Sequence, residues 1–143
     1  MDKIEIRNVG VVGLGAMGGQ LARHLREAGF AVIGYDLRAE AVAAAEKSGV
    51  EPAETLSSLA ARSDLIIIGV GFDSEVEAVI FDDDALLAGA RPGTVIAIAS
   101  TAAPTTMKKI VARADRPDLN FLDIPMCRGE QAAIDGKLLI MGG

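Results

Sequence analysis

Val11-Val12-Gly13-Leu14-Gly15-Ala16-Met17-Gly18 is the stretch on which the reading of this chain turns. A β-branched run from Ile4 to Val12 leads into it. A segment with helical spacing, Leu21 and Leu25 ahead of a stop at Gly29, leads out of it. Strand, glycine turn and helix in that order open a βαβ unit. Each glycine then has a mechanical role. Gly13 permits the tight turn off the strand, Gly15 has no Cβ to block an approaching pyrophosphate, and Gly18 lets the helix pack close to the sheet. The N-terminus of that helix offers unpaired N–H groups and the positive end of its dipole to an anion. A chain with 16 glycines produces G-x-G-x-x-G by chance fairly often. Its place between strand and helix is what separates a binding turn from a purely structural one.

Outward from the turn, the pattern is alternation. Short β-branched runs recur near Ala31–Tyr35, Leu65–Val70, Thr94–Ile98, Asn120–Ile124 and Leu138–Met141. Helical signals fill the intervals at about Ala16–Ala28, Ala39–Lys47 and Glu54–Ala61. Two more helices are expected, one behind a capping box of Ser74 with Glu77 and one starting at Pro104. This order predicts an α/β fold, a Rossmann-like doubly wound, mostly parallel sheet in one domain over residues 1–143. Half of the residues are hydrophobic and 3% aromatic, so Val, Ile, Leu and Ala must build the core.

The formal charge of −6, with Lys108-Lys109 the only adjacent basic pair, argues against a nucleic-acid surface. A single cysteine, Cys127, excludes an internal disulfide framework and any multi-cysteine metal site. Charges at Asp2, Lys3, Glu5 and Arg7 break up the N-terminus, so no secretory signal is read there, and no apolar run is long enough to span a bilayer. A cytoplasmic protein with no membrane or nucleic-acid partner is expected.

Asp36 stands 18 residues after Gly18, at the end of the second strand run. A carboxylate there can accept from both adenosine ribose hydroxyls and repels a 2′-phosphate, which favours NAD over NADP. Arg38 complicates this, because a guanidinium nearby can pair with a phosphate; its plainer role is a solvated residue at the next helix start. S-adenosylmethionine is a rival nucleotide, but nothing after the fourth strand looks like a methyl-acceptor site.

With the turn, Asp36 and three later segments together, nearly the whole chain resembles the β-hydroxyacid dehydrogenase family, which includes 3-hydroxyisobutyrate dehydrogenase, tartronate semialdehyde reductase and the cofactor domain of 6-phosphogluconate dehydrogenase. The family's G-L-G-x-M-G stands here as Gly13 to Gly18, with Met17 in place. The resemblance assigns Gly13, Leu14, Gly15, Ala16, Met17, Gly18 and Asp36 to the cofactor. Gly69-Val70-Gly71 occupies a Met-Leu-Pro-like turn, and Val70 and Gly71 are expected to touch the cofactor through their backbones. Ser100-Thr101, ahead of Pro104, matches the family's Ser-Thr beside the nicotinamide, while Ile98 replaces its acidic residue. Asp123, Pro125, Gly129, Ala132, Gly136 and Leu138 match a loop that holds the substrate carboxylate. In that loop Cys127 replaces a serine and Arg128 a glycine. Cys127, Arg128 and Gly129 are expected to face a small hydroxyacid substrate. A thiol is the weaker donor. Arg128 can clamp a carboxylate in two-pronged fashion, or point to solvent and pair with Glu130.

In the resembled family a lysine in a G-x-x-x-K-x-x-N-like helix transfers the proton. Lys3, Lys47, Lys108, Lys109 and Lys137 are the lysines here, and none stands in that motif. The expectation is an NAD-dependent oxidoreductase domain truncated at its C-terminal end, with the helical C-terminal domain and the catalytic lysine absent and self-association into a homo-oligomer. The alternative is a stand-alone NAD-binding module without catalysis.

Overall fold

Strands made of Val and Ile on both faces are stable only where both faces are covered. The computed structural model describes residues 5–71, 73–99, 104–124, 126–127 and 139–140, and it buries these strands between helices. The elements are β1 (Asn8–Val12), α1 (Ala16–Glu27), β2 (Ala31–Tyr35), α2 (Ala39–Glu46), β3 (Glu51–Pro52), α3 (Leu56–Ala61), β4 (Leu65–Ile68), α4 (Asp73–Phe81) and α5 (Leu86–Gly89). They continue with β5 (Val95–Ile98), α6 (Pro104–Ala114), β6 (Asn120–Asp123), β7 (Met126–Cys127) and β8 (Leu139–Ile140). The first six strands in chain order form one parallel sheet, ordered β3-β2-β1-β4-β5-β6. This is the doubly wound Rossmann-type order.

Strand alternation divides the core in two. Ile66, Ile68, Ile96 and Ile98 face α3 to α6, where Leu59, Val76, Ile80, Leu86 and Ile110 meet them. Ile67, Ala97, Val9 and Val11 point the other way, toward Ala22 of α1 and Ala41 and Ala45 of α2. Small residues on that second face let α1 and α2 lie close to the sheet. At the amino ends of the strands, Asp64 Oδ2 accepts from the backbone N–H of Arg7 and of Asn8, each at 3.0 Å. The Asp64 carbonyl accepts from Val95 N at 3.0 Å. One residue therefore fixes where β1, β4 and β5 begin.

Five elements differ from expectation: α5 (Leu86–Gly89) and the two-residue β7 (Met126–Cys127) are absent from the sequence expectation, and β3, β8 and α4 depart from it as follows. β3 has two exposed residues, Glu51 and Pro52, paired with Ile33 and Gly34. It has no apolar alternation to detect, and proline is tolerated because the strand is an edge. The run Leu138–Met141 contributes β8, which pairs antiparallel with β7 outside the parallel sheet; an antiparallel partner needs only a return loop, not a crossover. α4 begins at Asp73, so Ser74 lies within its first turn rather than ahead of it. Among the described residues no helix is long and apolar enough to cross a membrane.

Ile66 is fully buried in the α3–α6 face of the core. Ile66→Ala is expected to lower the unfolding free energy by roughly 2–5 kcal/mol, through lost burial plus the cavity left behind. Val111→Ala, at a half-exposed position, is expected to cost no more than about 0.5 kcal/mol. Urea titration of the two variants measures the difference.

Candidate functional site

The strand order reverses at β1: the chain passes outward through β2 and β3, then returns to add β4 on the other side. Connections leaving β1 and β4 diverge, so a crevice opens at their carboxyl ends, where open α/β sheets bind ligands. Gly13 follows β1 and Gly69 follows β4. Gly13 N donates to Tyr35 O at 2.9 Å, and Gly69 N donates to Val12 O at 2.8 Å.

The three glycines of the turn are required for different reasons. Gly13 has φ +94°, and a Cβ there would lie 2.2 Å from Gly69 O. A Cβ on Gly18 would lie 1.8 Å from Gly13 O, so α1 presses directly onto the turn. Gly15 is different: among the described residues beyond its own chain neighbours, its Cβ would meet only Arg38 Nη2, at 3.0 Å. Packing of the chain on itself demands Gly13 and Gly18. At Gly15 the missing side chain leaves room. Gly15 also caps α1 with no side-chain hydrogen bond, and no acidic residue occupies that helix's first turn. The exposed N–H groups and the dipole are thus available to an anion.

Behind the turn sits Asp36, its side chain 10% exposed. Its Oδ2 accepts from Leu14 N at 2.8 Å, and its Oδ1 accepts from Arg38 N at 2.9 Å and Arg38 Nε at 3.3 Å. Burial alone pushes this carboxyl up. The amides of Arg38 and Leu14, with the Arg38 guanidinium, outweigh burial and hold it below its ordinary value. It is an ionised acceptor at neutral pH.

Turn, carboxylate and strand end share one cavity of about 620 Å³, lined by Gly13, Gly15, Asp36, Arg38, Val70 and Gly71. Leu14 serves through its backbone, while its side chain is buried in the core. Met17 packs against the α1–α2 face of the core, and Ala16 and Gly18 lie in the first turn of α1. The backbone of Cys127 lies in β7. Ser100, Thr101, Arg128 and Gly129 lie outside the described residues. At the carboxyl end of β6, Asp123 Oδ1 is buried and has no hydrogen-bond partner among the described residues.

The far wall of the cavity carries no motif in the sequence. Leu56 of α3, Glu75, Ala78 and Val79 of α4, and Asp82 and Asp83 just after it line the cavity opposite the turn. The signal was present in the order of elements: the helix that follows β4 must start at the crevice beside β1, so its first turns face the ligand. A cavity with an unobstructed glycine, an uncapped helix N-terminus and a part-buried ionised carboxylate fits the pyrophosphate and ribose of a dinucleotide.

The two kinds of glycine predict opposite behaviour. Gly13→Ala is expected to destabilise the fold by at least about 2 kcal/mol, from the strained φ and the clash with Gly69 O. Gly15→Ala is expected to leave urea stability within about 0.5 kcal/mol, since only a flexible guanidinium must give. Even so, it should weaken dinucleotide binding in a titration.

Residues 8–143 match the family profile described as the NAD binding domain of 6-phosphogluconate dehydrogenase. The chain is 34% identical over 138 residues to the NAD-dependent L-serine dehydrogenase of Pseudomonas aeruginosa, covering 96% of this chain and 46% of that protein. It is 33% identical over 135 residues to the L-threonate dehydrogenase of Cupriavidus necator, covering 94% of this chain and 46% of that one. Among solved structures, the 3-hydroxyisobutyrate dehydrogenase of Mycobacterium tuberculosis with L-serine superposes with a TM-score of 0.89 at 28% identity, covering 97% of this chain and 47% of that one. The chain spans about half the length of the curated relatives it matches. With the glycine turn, the strand order and these matches, the chain belongs to the β-hydroxyacid dehydrogenase family, in that family's NAD-binding domain.

Proposed function

We propose that these residues are the cofactor domain of an NAD-dependent dehydrogenase that passes hydride between the nicotinamide and a small β-hydroxyacid. The observation that carries this reading is the pairing of the glycine turn with Asp36 in one crevice, Leu14 N locking the carboxylate behind the turn. In this reading the α1 N-terminus takes the pyrophosphate, and Asp36 takes the ribose hydroxyls and disfavours a 2′-phosphate. Val70 and Gly71 border the adenosine side, and Ser100 and Thr101 the nicotinamide. When bound, the nicotinamide supplies the hydride acceptor or donor. Proton transfer belongs to a lysine elsewhere in the enzyme, because none of the lysines here stands in the family's lysine motif. Relatives about twice as long support residues 1–143 as one domain of a longer enzyme, and the same reading takes that enzyme as a cytoplasmic homo-oligomer.

Cys127, Arg128 and Gly129 are the residues we assign to the substrate anion. Arg128 supplies the two-pronged donor that the replaced serine and glycine of the family do not. Arg128→Gly in the intact enzyme is expected to raise KM for the hydroxyacid about tenfold with little change in kcat. An unchanged KM removes Arg128 from substrate recognition.

The cofactor assignment is tested by fluorescence titration of NADH and NADPH. NADH is expected to bind more tightly, and Asp36→Ala to weaken NADH by about tenfold while narrowing its advantage over NADPH. Binding of neither nucleotide would sink the cofactor reading. Tighter binding of NADPH would reverse the assigned preference.

A further inference from the structure

Asp36 is crowded for a residue that receives a ribose. An ionised carboxylate offers about four lone-pair sites. Leu14 N, Arg38 N and Arg38 Nε already use three of them. Two ribose hydroxyls cannot both be accepted while the guanidinium stays. Of the three bonds, the Nε contact is the longest, at 3.3 Å, and it is the only one made by a side chain, itself 57% exposed. It is the bond that can be released.

The same guanidinium stands over the glycine turn. Its Nη2 would lie 3.0 Å from a Cβ on Gly15, the position left open for the pyrophosphate. Arg38 therefore spans the ribose seat and the pyrophosphate seat at once. Arg38 and Gly15 also line a second cavity of about 280 Å³ on the α2 side, so the side chain has open space on both flanks. It can turn while its backbone N–H stays on Asp36.

We propose that Arg38 is an anion-exchange clamp. In the empty site it pairs with Asp36. When the dinucleotide enters, the guanidinium passes from the carboxylate to the pyrophosphate, and each Asp36 oxygen is left with one acceptor site for a ribose hydroxyl. The exchange replaces one charged pair by another, so the cation is never left without an anion, and a phosphate suits the guanidinium fork. The clamp rests on the dinucleotide reading above.

Exchange gives opposite signs for the two parts of the ligand. Adenosine carries the ribose hydroxyls but no phosphate, so it must break the Arg38–Asp36 pair and gains no replacement. ADP-ribose and NADH carry both parts. Arg38→Met keeps most of the stem and removes the cation. Calorimetric titration of wild type and Arg38→Met is expected to show ADP-ribose and NADH weakened about tenfold and adenosine tightened about threefold. Arg38→Lys, which keeps charge but not the fork, is expected to fall between them. Adenosine bound no more tightly by Arg38→Met than by wild type overturns the clamp, as does undiminished ADP-ribose binding. Circular dichroism establishes that the variants are folded. A wild-type protein that binds neither NADH nor ADP-ribose would bring down the dinucleotide reading itself, a different failure from one confined to Arg38.

Discussion

A single carbonyl oxygen, that of Gly13, sets the geometry on which the rest depends. It sits where a Cβ on Gly18 would come within 1.8 Å, and Gly13 itself admits no Cβ because Gly69 O would be 2.2 Å away. Three backbone segments thus close on one another with no side chains between them: the end of β1, the first turn of α1 and the end of β4. Close approach brings the α1 N-terminus to the sheet edge and points it along the crevice. It also brings Leu14 N to Asp36, so the carboxylate at the end of β2 is held by the same turn. One steric constraint fixes helix, strand and carboxylate together.

The two ends of the sheet are treated differently. At the amino ends, Asp64 gathers the amides of Arg7 and Asn8 and pairs with Arg91. Those amides hold its carboxyl below the ordinary value, against the opposing effect of burial. At the carboxyl ends the N-terminus of α1 is left for a ligand, with Asp36 as the acceptor. The ion pairs Arg62 with Glu51 and Arg7 with Glu5 are more than half exposed. Pairs of that kind contribute about 0–1 kcal/mol each and do not decide the fold. Stability comes from the two apolar layers, and the polar groups that matter are the few at the strand ends.

Legibility in the sequence followed the range of the physics involved. The long β-branched runs and the helices between them were readable because burial on two faces imposes a local composition over several residues. β3 was not, since Glu51 and Pro52 carry no apolar pattern and pair only because β2 presents an open edge. The paired run at β8 was readable as a strand, but its partner was not, because nothing within Leu139–Ile140 distinguishes a place in the parallel sheet from a ribbon with β7. Likewise the capping signal at Ser74 marked the right helix and missed its start, α4 beginning at Asp73.

The site divides in the same way. Gly13, Gly15, Gly18 and Asp36 were determined by sequence alone, since a turn that needs positive φ, a close approach and an acceptor at a strand end each demand a residue type at a fixed spacing. The order of elements placed the start of α4 at the crevice, but only the tertiary structure decided which residues line that wall, Glu75, Val79, Asp82 and Asp83. It also decided the position of Arg38, whose plainer sequence role is a solvated residue at the helix start and whose half-exposed side chain pairs with Asp36 in the fold. Its guanidinium lies between Asp36 and Gly15 because β2 runs beside β1, and that pairing, between residues far apart along the chain, exists only once the sheet has formed.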